Sequence, residues 1–293
     1  MAELRDTLRS LAPEPGVHPT LWPGLRLIHA KETTRRTAVV YEPCLCVVGA
    51  GAKQAWLNDE LFRYDAEQYL VLSVSLPLEC EIVEASAAEP YLAFALDVDT
   101  LVLGELIAEL DELQHPTPDP KDAARRGAFA TPMDSDIRDA ATRFLRAAVD
   151  ERESRVLGAG LYKELLFRVL QGSQAGPLRA IGRQDGRAAR VSKVVRYLHA
   201  HFDEPVDMQT LAEVGAMSAS TLHADFKAVT SDTPLGYLKK IRLIQARALM
   251  LHQGLGAAEA AYRVGYGSAS QFSREFKRQF GVSPREAVTQ AQA

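Results

Sequence analysis

The spacing of apolar positions changes character twice along the chain. From Leu25 to about Leu96, short runs rich in Val, Leu and Tyr are punctuated by Gly, Pro and Asn-Asp: "LRLIH", "TAVVYEP", "CLCVVGAGAK", "ELFRYD", "YLVLSVSLP", "CEIVEA" and "YLAFALD". Such close spacing predicts an antiparallel barrel or sandwich rather than βαβ units. After Asp97, "DTLVLGELIAELDEL", "DSDIRDAATRFLRAAVDE" and "AGLYKELLFRVLQG" carry apolar residues at i, i+3, i+4, with acidic residues near two of their starts, and predict helices. Two of these follow the Pro-rich "HPTPDP" and are expected to pair antiparallel, packed on the barrel or on a second copy of the chain. Leu161, Leu165, Leu166, Val169 and Leu170 give the last of them a broad apolar face. "GSQAGPLRAIGRQDGRAA", Gly172 to Ala189, sustains no stripe and reads as a linker. Nearly everything beyond it is helical in pattern. The predicted organisation is α+β: a mixed domain of strands and a helical pair over 1–171, with which a second copy could associate, a linker over 172–189, and an all-α domain over 190–293.

The helical C-terminal region repeats a single pattern, fifty residues apart: "VGAMSASTLHADFKAVTSDTP" from Val214 and "VGYGSASQFSREFKRQFGVSP" from Val264. Each copy predicts a short helix that stops at Val-Gly, where glycine supplies a left-handed residue, and a second helix capped by Ser218 or Ser268. Leu222, Phe226 and Val229 in the first copy, and Phe272, Phe276 and Phe280 in the second, keep near-i+4 spacing and are expected to face inward. Ser220, His223, Ala224 and Lys227 face outward in the first; Ser270, Gln271, Arg274, Lys277 and Arg278 do so in the second. A short helix, a turn and a second helix with one hydrogen-bonding face form a helix-turn-helix. Its outward Gln and Arg suit adenine and guanine edges in a major groove, with Lys227, Lys277 and Arg278 toward phosphates. One such hairpin alone could simply present a wet face; duplication argues otherwise. Between the copies, Leu238, Ile241, Ile244, Ala248 and Leu251 form a stripe on a helix from Leu235 to Leu251, with Lys239, Lys240, Arg242 and Arg247 off it. That rod spans roughly 25 Å, which lets the two recognition helices stand about 34 Å apart, one turn of DNA.

Charge sharpens this picture. The chain of 293 residues has a net charge of −4. From Ala188 onward, however, 13 Lys+Arg stand against 9 Asp+Glu, leaving 21 against 29 before it, so the basic surplus accompanies the repeat. At 47% apolar and 25% charged residues the composition is that of a soluble globular protein, with length for two domains. The start, "MAELRDTLRSLAPEPG", shows no apolar leader, and no run approaches a membrane span, so the expected location is cytoplasmic, with no membrane partner. Cys44, Cys46 and Cys80 form no C-x-x-C pair and have no histidines beside them, which argues against a disulfide framework or a zinc site, and no cofactor is expected.

The stretch "LAEVGAMSASTLHADFKAVTSDTPLGYLKKIRLIQARALML" followed by "AAYRVGYGSASQFSREFKRQFGVSP" resembles the DNA-binding domain of the AraC/XylS transcription regulators. Carried over position by position, the resemblance implies base-reading roles for Ser220, His223 and Ala224 in the first recognition helix, and for Ala269, Ser270, Gln271 and Arg274 in the second. Ala224 can offer only an apolar contact, so the first half-site is expected to be read weakly. Where the family often ends P-x-x-Y-R, this chain has Pro284-Arg285-Glu286-Ala287-Val288; Ser283 and Glu286 still make a capping box. The N-terminal region is similar to the cupin-like domain of one subgroup of that family, through Tyr41 to Cys46, Gly51 to Lys53, Tyr64 to Leu70, and Pro77; Cys44 stands where serine is commoner. This implies a cupin-like barrel that senses a small molecule. Tyr41, Cys46, Lys53, Tyr64 and Tyr69 are the candidates to line its site, although Tyr41 and Tyr69 flank strands, where packing is the more expected role. The resemblance implies double-stranded DNA and a small-molecule effector as partners, with room for RNA polymerase and a second copy of the chain.

Rival readings are enzymatic or architectural. A cupin oxygenase needs histidines converging on iron, and only His18 and His29 precede the helices. A DNA-alkylation repair protein needs a four-cysteine zinc cluster, and this chain has three cysteines. Catalysis is therefore not expected. A purely architectural DNA binder would need no shaped barrel. Cys44 and Cys46, two apart, share one side of a strand; reaction of either with an electrophile requires a lowered thiol pKa.

Overall fold

The computed structural model describes residues 2–113, 127–172, 175–182 and 186–292; the Pro-rich "HPTPDP" and some of the expected linker lie outside them. The chain divides into two units, Met1–Thr37 with Tyr41–Ala189, and Arg190–Ala293 with Ala38–Val40.

The first unit begins with helix α1 (Ala2–Leu11), followed by strands β1 (Gly16–Pro19), β2 (Leu25–Ala30), β3 (Thr37–Tyr41), β4 (Cys44–Ala50), β5 (Ala52–Leu57), β6 (Glu60–Asp65), β7 (Gln68–Leu72), β8 (Leu76–Glu84) and β9 (Tyr91–Asp97). Helix α2 (Thr100–Glu112), strand β10 (Ala128–Pro132) and helices α3 (Ser135–Ala147), α4 (Glu151–Val156), α5 (Gly158–Gln171) and α6 (Gly176–Gly182) complete it. The strands form a six-stranded sheet, ordered β1-β2-β9-β4-β7-β10, and a four-stranded sheet, β3-β8-β5-β6. Every registered pair is antiparallel.

Turn chemistry sets this register. Between β4 and β5 the chain passes from one sheet to the other at a bend at Gly51, whose φ of +75° and the Glu84 carbonyl, into which a Cβ would run, require glycine. The β5–β6 hairpin turns at Asn58-Asp59 with Asn58 at φ 56°, so Leu57 pairs with Glu60. In β4, Cys44 through Val48 are buried on both faces, the signature of a central strand. Leu45 and Val47 meet the helices, while alternation directs Cys44, Cys46 and Val48 to the other side.

Helices cover the outer face of the larger sheet. Trp22 packs edge-on to Phe144 and tilted against Tyr162, with centroids 5.3 and 5.6 Å away, and Gly158 lies so close to the Trp22 ring that a Cβ would meet it at 2.5 Å. Asp99 and Asp134 cap α2 and α3 through their side chains. The helix expected to continue past Ala147 stops there because Asp150 caps a separate turn, α4. Leu165, Leu166, Val169 and Leu170 of α5 are buried in this core, with Leu161 packed at its margin, so the face offered for a second copy is occupied within one chain. The stretch 172–189 is not an open linker: α6 forms in it and buries Leu178 and Ile181. Helix α1, which the apolar pattern does not announce, is held in the same core by Leu4 and Leu8.

From Arg190 onward the second unit is helical, its first helix starting just before: α7 (Gly186–Ala200), α8 (Met208–Val214), α9 (Ala219–Thr230), α10 (Pro234–Gln253), α11 (Ala257–Arg263), α12 (Ala269–Phe280) and α13 (Pro284–Gln292). Helix α10 is the expected rod, but its burial is two-sided. Tyr237, Leu238, Ile241, Leu243, Ala246 and Met250 are buried, whereas Ile244, Ala248 and Leu251 are only half-buried. A helix shared by two hairpins has to bury more than one stripe. Its basic residues are also committed: Lys239 to Glu275, Lys240 to Asp232, and Arg242 to the carbonyls of Phe202 and Glu204, with Arg247 over the Phe280 ring.

Candidate nucleic-acid interface and effector site

Each repeat copy folds as a helix-turn-helix, and the two turns are built by the same hydrogen bonds. After α8, the amides of Ala216 and Met217 donate to the carbonyls of Glu213 and Ala212; after α11, those of Gly265 and Tyr266 donate to Tyr262 and Ala261. The left-handed residue is Ala216 (φ 49°) in the first copy and Gly265 (φ +85°) in the second. The expectation that Val-Gly supplies it in both copies therefore fails in the first. Gly215 has φ −80°, a conformation open to any residue, and lies beside the Met217 side chain. The turns correspond at a spacing of 49 residues but the recognition helices at 50, so the second turn is one residue longer.

Beyond the turn, Ser218 and Ser268 accept from the amides of Thr221 and Gln271 and start α9 and α12. Leu222, Phe226 and Val229 are buried beneath α9, with Phe226 edge-on to Tyr237 at 5.4 Å. Phe272 and Phe276 are fully buried beneath α12; Phe280 is half-buried and stacks on Phe276 at 4.4 Å. These anchors fix which sides face solvent. Ser220, His223, Ala224 and Lys227 are exposed on α9, and Ser270, Gln271, Arg274, Lys277 and Arg278 are exposed on α12; Ala269, at the start of α12, is half-buried. The last helix keeps its capping box: the Ser283 amide donates to Glu286 Oε2 at 2.7 Å, and the Glu286 amide to Ser283 Oγ at 3.3 Å.

One residue beside the reading set is marked in the repeat only as an acidic position shared with Asp225. Glu275 accepts from Gln271, Lys239 and the Tyr266 hydroxyl, and all four residues border a cavity of about 600 Å³ against α12. Gln271 is one helical turn away, but Lys239 comes from the rod and only the fold brings it to the same carboxylate.

In the first unit, four of the five candidate effector residues converge between the sheets. Lys53 Nζ donates to the Tyr41 hydroxyl at 2.8 Å, and Lys53 stands across from Tyr64 in the β5–β6 register. Lys53 has no carboxylate partner among the described residues. Tyr64 is buried with its hydroxyl unpartnered, and burial holds its pKa far above the ordinary value. Cys46 lies 3.8 Å from Cys44, sulfur to sulfur. That contact lowers the Cys46 thiol pKa against the effect of burial, with the Lys53 and Arg26 charges assisting, and raises that of Cys44. Cys80, from β8, is pushed by burial to about 11. Tyr69 does not join them. It sits on the opposite face of its strand, in the core beneath the helices. The run "YLVL" is apolar throughout, and a strand buried on both sides gives no alternation from which to choose a face. Among the described residues, no group of three or more His, Cys, Asp or Glu is placed to hold a metal ion, and no helix is long and apolar enough to cross a membrane.

Comparison with known proteins agrees with both halves. Residues 211–290 match a helix-turn-helix domain family. Over 98 residues the chain is 42% identical to the transcriptional activator RhaS of Enterobacter sp. strain 638 and 40% identical to RhaS of Salmonella schwarzengrund, which is 33% of this chain and 35% of each relative. The match thus spans about a third of the length of these relatives. In fold, the chain is similar to apo ToxT from Vibrio cholerae (TM-score 0.59, 10% identity, 92% of this chain and 99% of that one). ToxT with a bound unsaturated fatty acid gives a TM-score of 0.52 at 10% identity, over 90% of this chain and 94% of that one. Residues 22–177, more than half the chain, match the family of AraC-type transcriptional regulator N-termini, and with the helix-turn-helix pair behind them this chain belongs to the AraC-type transcriptional regulators.

Proposed function

We propose that this protein is a ligand-responsive, sequence-specific DNA-binding regulator whose two recognition helices, α9 and α12, enter successive major grooves. The observation that carries the reading is the matched presentation of the two helices. Each is capped by serine, anchored by buried apolar side chains at i, i+4 spacing, and exposes polar or basic residues on the opposite side. The 20 residues of α10 span about 30 Å, compatible with one DNA turn between the two reading sites. The basic surplus of this half supports contact with phosphates.

The effector site of this reading is the space between the sheets at Tyr41, Cys46, Lys53 and Tyr64. An ammonium without a carboxylate partner among the described residues and a buried hydroxyl without any partner suit a small molecule bearing hydrogen-bond acceptors. On this reading the protein works in the cytoplasm, meets RNA polymerase at the promoters it controls, and, if it pairs with a second copy, does so through a surface other than the buried face of α5.

Footprinting on DNA upstream of its own and neighbouring genes tests the proposal. A protected stretch covering two adjacent major grooves is expected, weakened when Arg274 is replaced by Ala. Protection that is absent, or indifferent to substitutions on both α9 and α12, overturns it. Replacing Lys53 by Met and Tyr64 by Phe should abolish the response to an effector found by screening while leaving the footprint of the free protein intact.

A further inference from the structure

The second recognition helix carries a carboxylate to which the reading set gives no role. Glu275 lies one helical turn after Gln271 and gathers three donors. Lys239 Nζ at 3.0 Å and Gln271 Nε2 at 3.3 Å approach Oε1, and the Tyr266 hydroxyl at 2.8 Å approaches Oε2. They come from the rod, the turn and the recognition helix itself. The Glu275 side chain is 13% exposed, whereas Gln271 stands in solvent. Burial disfavours the Glu275 charge, but hydrogen bonds from Tyr266, Lys239 and Gln271 outweigh it and hold the pKa below the ordinary value, so the group is an anion at neutral pH.

An ionised carboxylate only accepts hydrogen bonds. Gln271 must therefore turn an amide N–H toward it, because the flipped amide would set carbonyl against carboxylate. The carbonyl oxygen and the second N–H of Gln271 are left facing outward. That pair complements adenine, which offers a donor at N6 and an acceptor at N7 in the major groove; guanine offers two acceptors, at O6 and N7. The first copy is built from different side chains. Its corresponding positions are Thr221 and Asp225, and Asp225 is buried with Arg190 3.9 Å away.

We propose that Glu275 is a positioning residue that sets base specificity: anchored by Lys239 and Tyr266, it fixes the Gln271 amide in the orientation that reads adenine and rejects guanine at one position of the half-site under α12. This rests on the reading of α12 as a DNA-recognition helix. The full-length protein is used to select from a randomised duplex library, and base frequencies are compared between the wild type and variants. Gln271→Ala should flatten preference at one position, which identifies the base pair concerned. There, Glu275→Gln lets the amide flip and should lower the adenine-over-guanine ratio by roughly tenfold, within the range a good bidentate contact supplies. The salt dependence of binding should stay unchanged. Glu275→Asp keeps the charge but falls a methylene short of Gln271, and should also lose the preference, which separates orientation from charge. Should Glu275→Gln prove unfolded by circular dichroism, Tyr266→Phe, which loosens the carboxylate without removing it, should give a smaller drop at the same position. An unchanged ratio in the folded Glu275 variants, or in Tyr266→Phe where that variant carries the test, overturns the proposal. If Gln271→Ala alters no position while a motif is still enriched, this proposal falls and DNA reading stands; if the wild type enriches nothing, the reading of α12 falls as well.

Discussion

The two helix-turn-helix copies hold the same architecture by unequal means. The first puts Ala216, a residue with a Cβ, into the left-handed conformation; the second uses Gly265 there. The first presents a serine, a histidine, an alanine and one lysine to solvent, the second a serine, a glutamine held by a carboxylate and three basic side chains. Under α9 a Phe-Tyr edge contact anchors the helix, while under α12 three phenylalanines stack in series. The difference teaches that duplication preserved the caps and the buried spacing, which folding requires, and let the outward faces diverge, which recognition allows. On the proposed reading, the second copy would contribute more of the base discrimination than the first.

Substitutions that unbalance the copies test this comparison. The largest effect belongs to Phe276→Ala, which empties the middle of the aromatic stack and should cost about 3–5 kcal/mol, read as an earlier unfolding transition of the second unit in urea. Gly265→Ala should follow. Its Cβ would meet the Asp203 carbonyl at 2.5 Å in a left-handed backbone, a loss of about 2 kcal/mol or more. On DNA, Arg274→Ala should cost about 1–3 kcal/mol at one base pair if the guanidinium reads guanine, and His223→Ala should cost less at any single position; equal losses would erase the difference in base discrimination between the copies. Removing either cap, Ser218→Ala or Ser268→Ala, should cost about 1 kcal/mol, similarly in both copies, by thermal melting. The smallest change runs the other way: Ala216→Gly relieves the left-handed backbone and should stabilise the first copy by up to about 1 kcal/mol. A destabilised Ala216→Gly variant would show that the turn is not strained.

Much of the second unit is legible in the sequence because its signals are local. A serine, then apolar residues three or four apart, places Phe226 and Phe276 inward and fixes the outward set. Equally local are the Asn58-Asp59 turn and the capping aspartates. What escapes depends on neighbours distant in the chain. A single stripe on the rod presumes one partner, whereas α10 is packed by both hairpins. Its lysines and arginines look free in the sequence because Glu275, Asp232 and the carbonyls that bind them are fixed only by the fold. Tyr69 falls on the other face of β7 from the one expected because a doubly buried strand carries no period. Gly215 attracts the left-handed assignment because it follows the last valine of its helix, although the turn itself is set one residue later.

The extra residue in the second turn bears on how hybrid regulators are made from this scaffold. An exchange of segments guided by the written repeat would place Leu211 over Ala261, whereas the hydrogen bonds equate Leu211 with Ala260. A splice made before the turn must therefore move by one position relative to a splice made after it. Otherwise the leading helix would enter its new site rotated by about 100°, with its buried leucine turned to water.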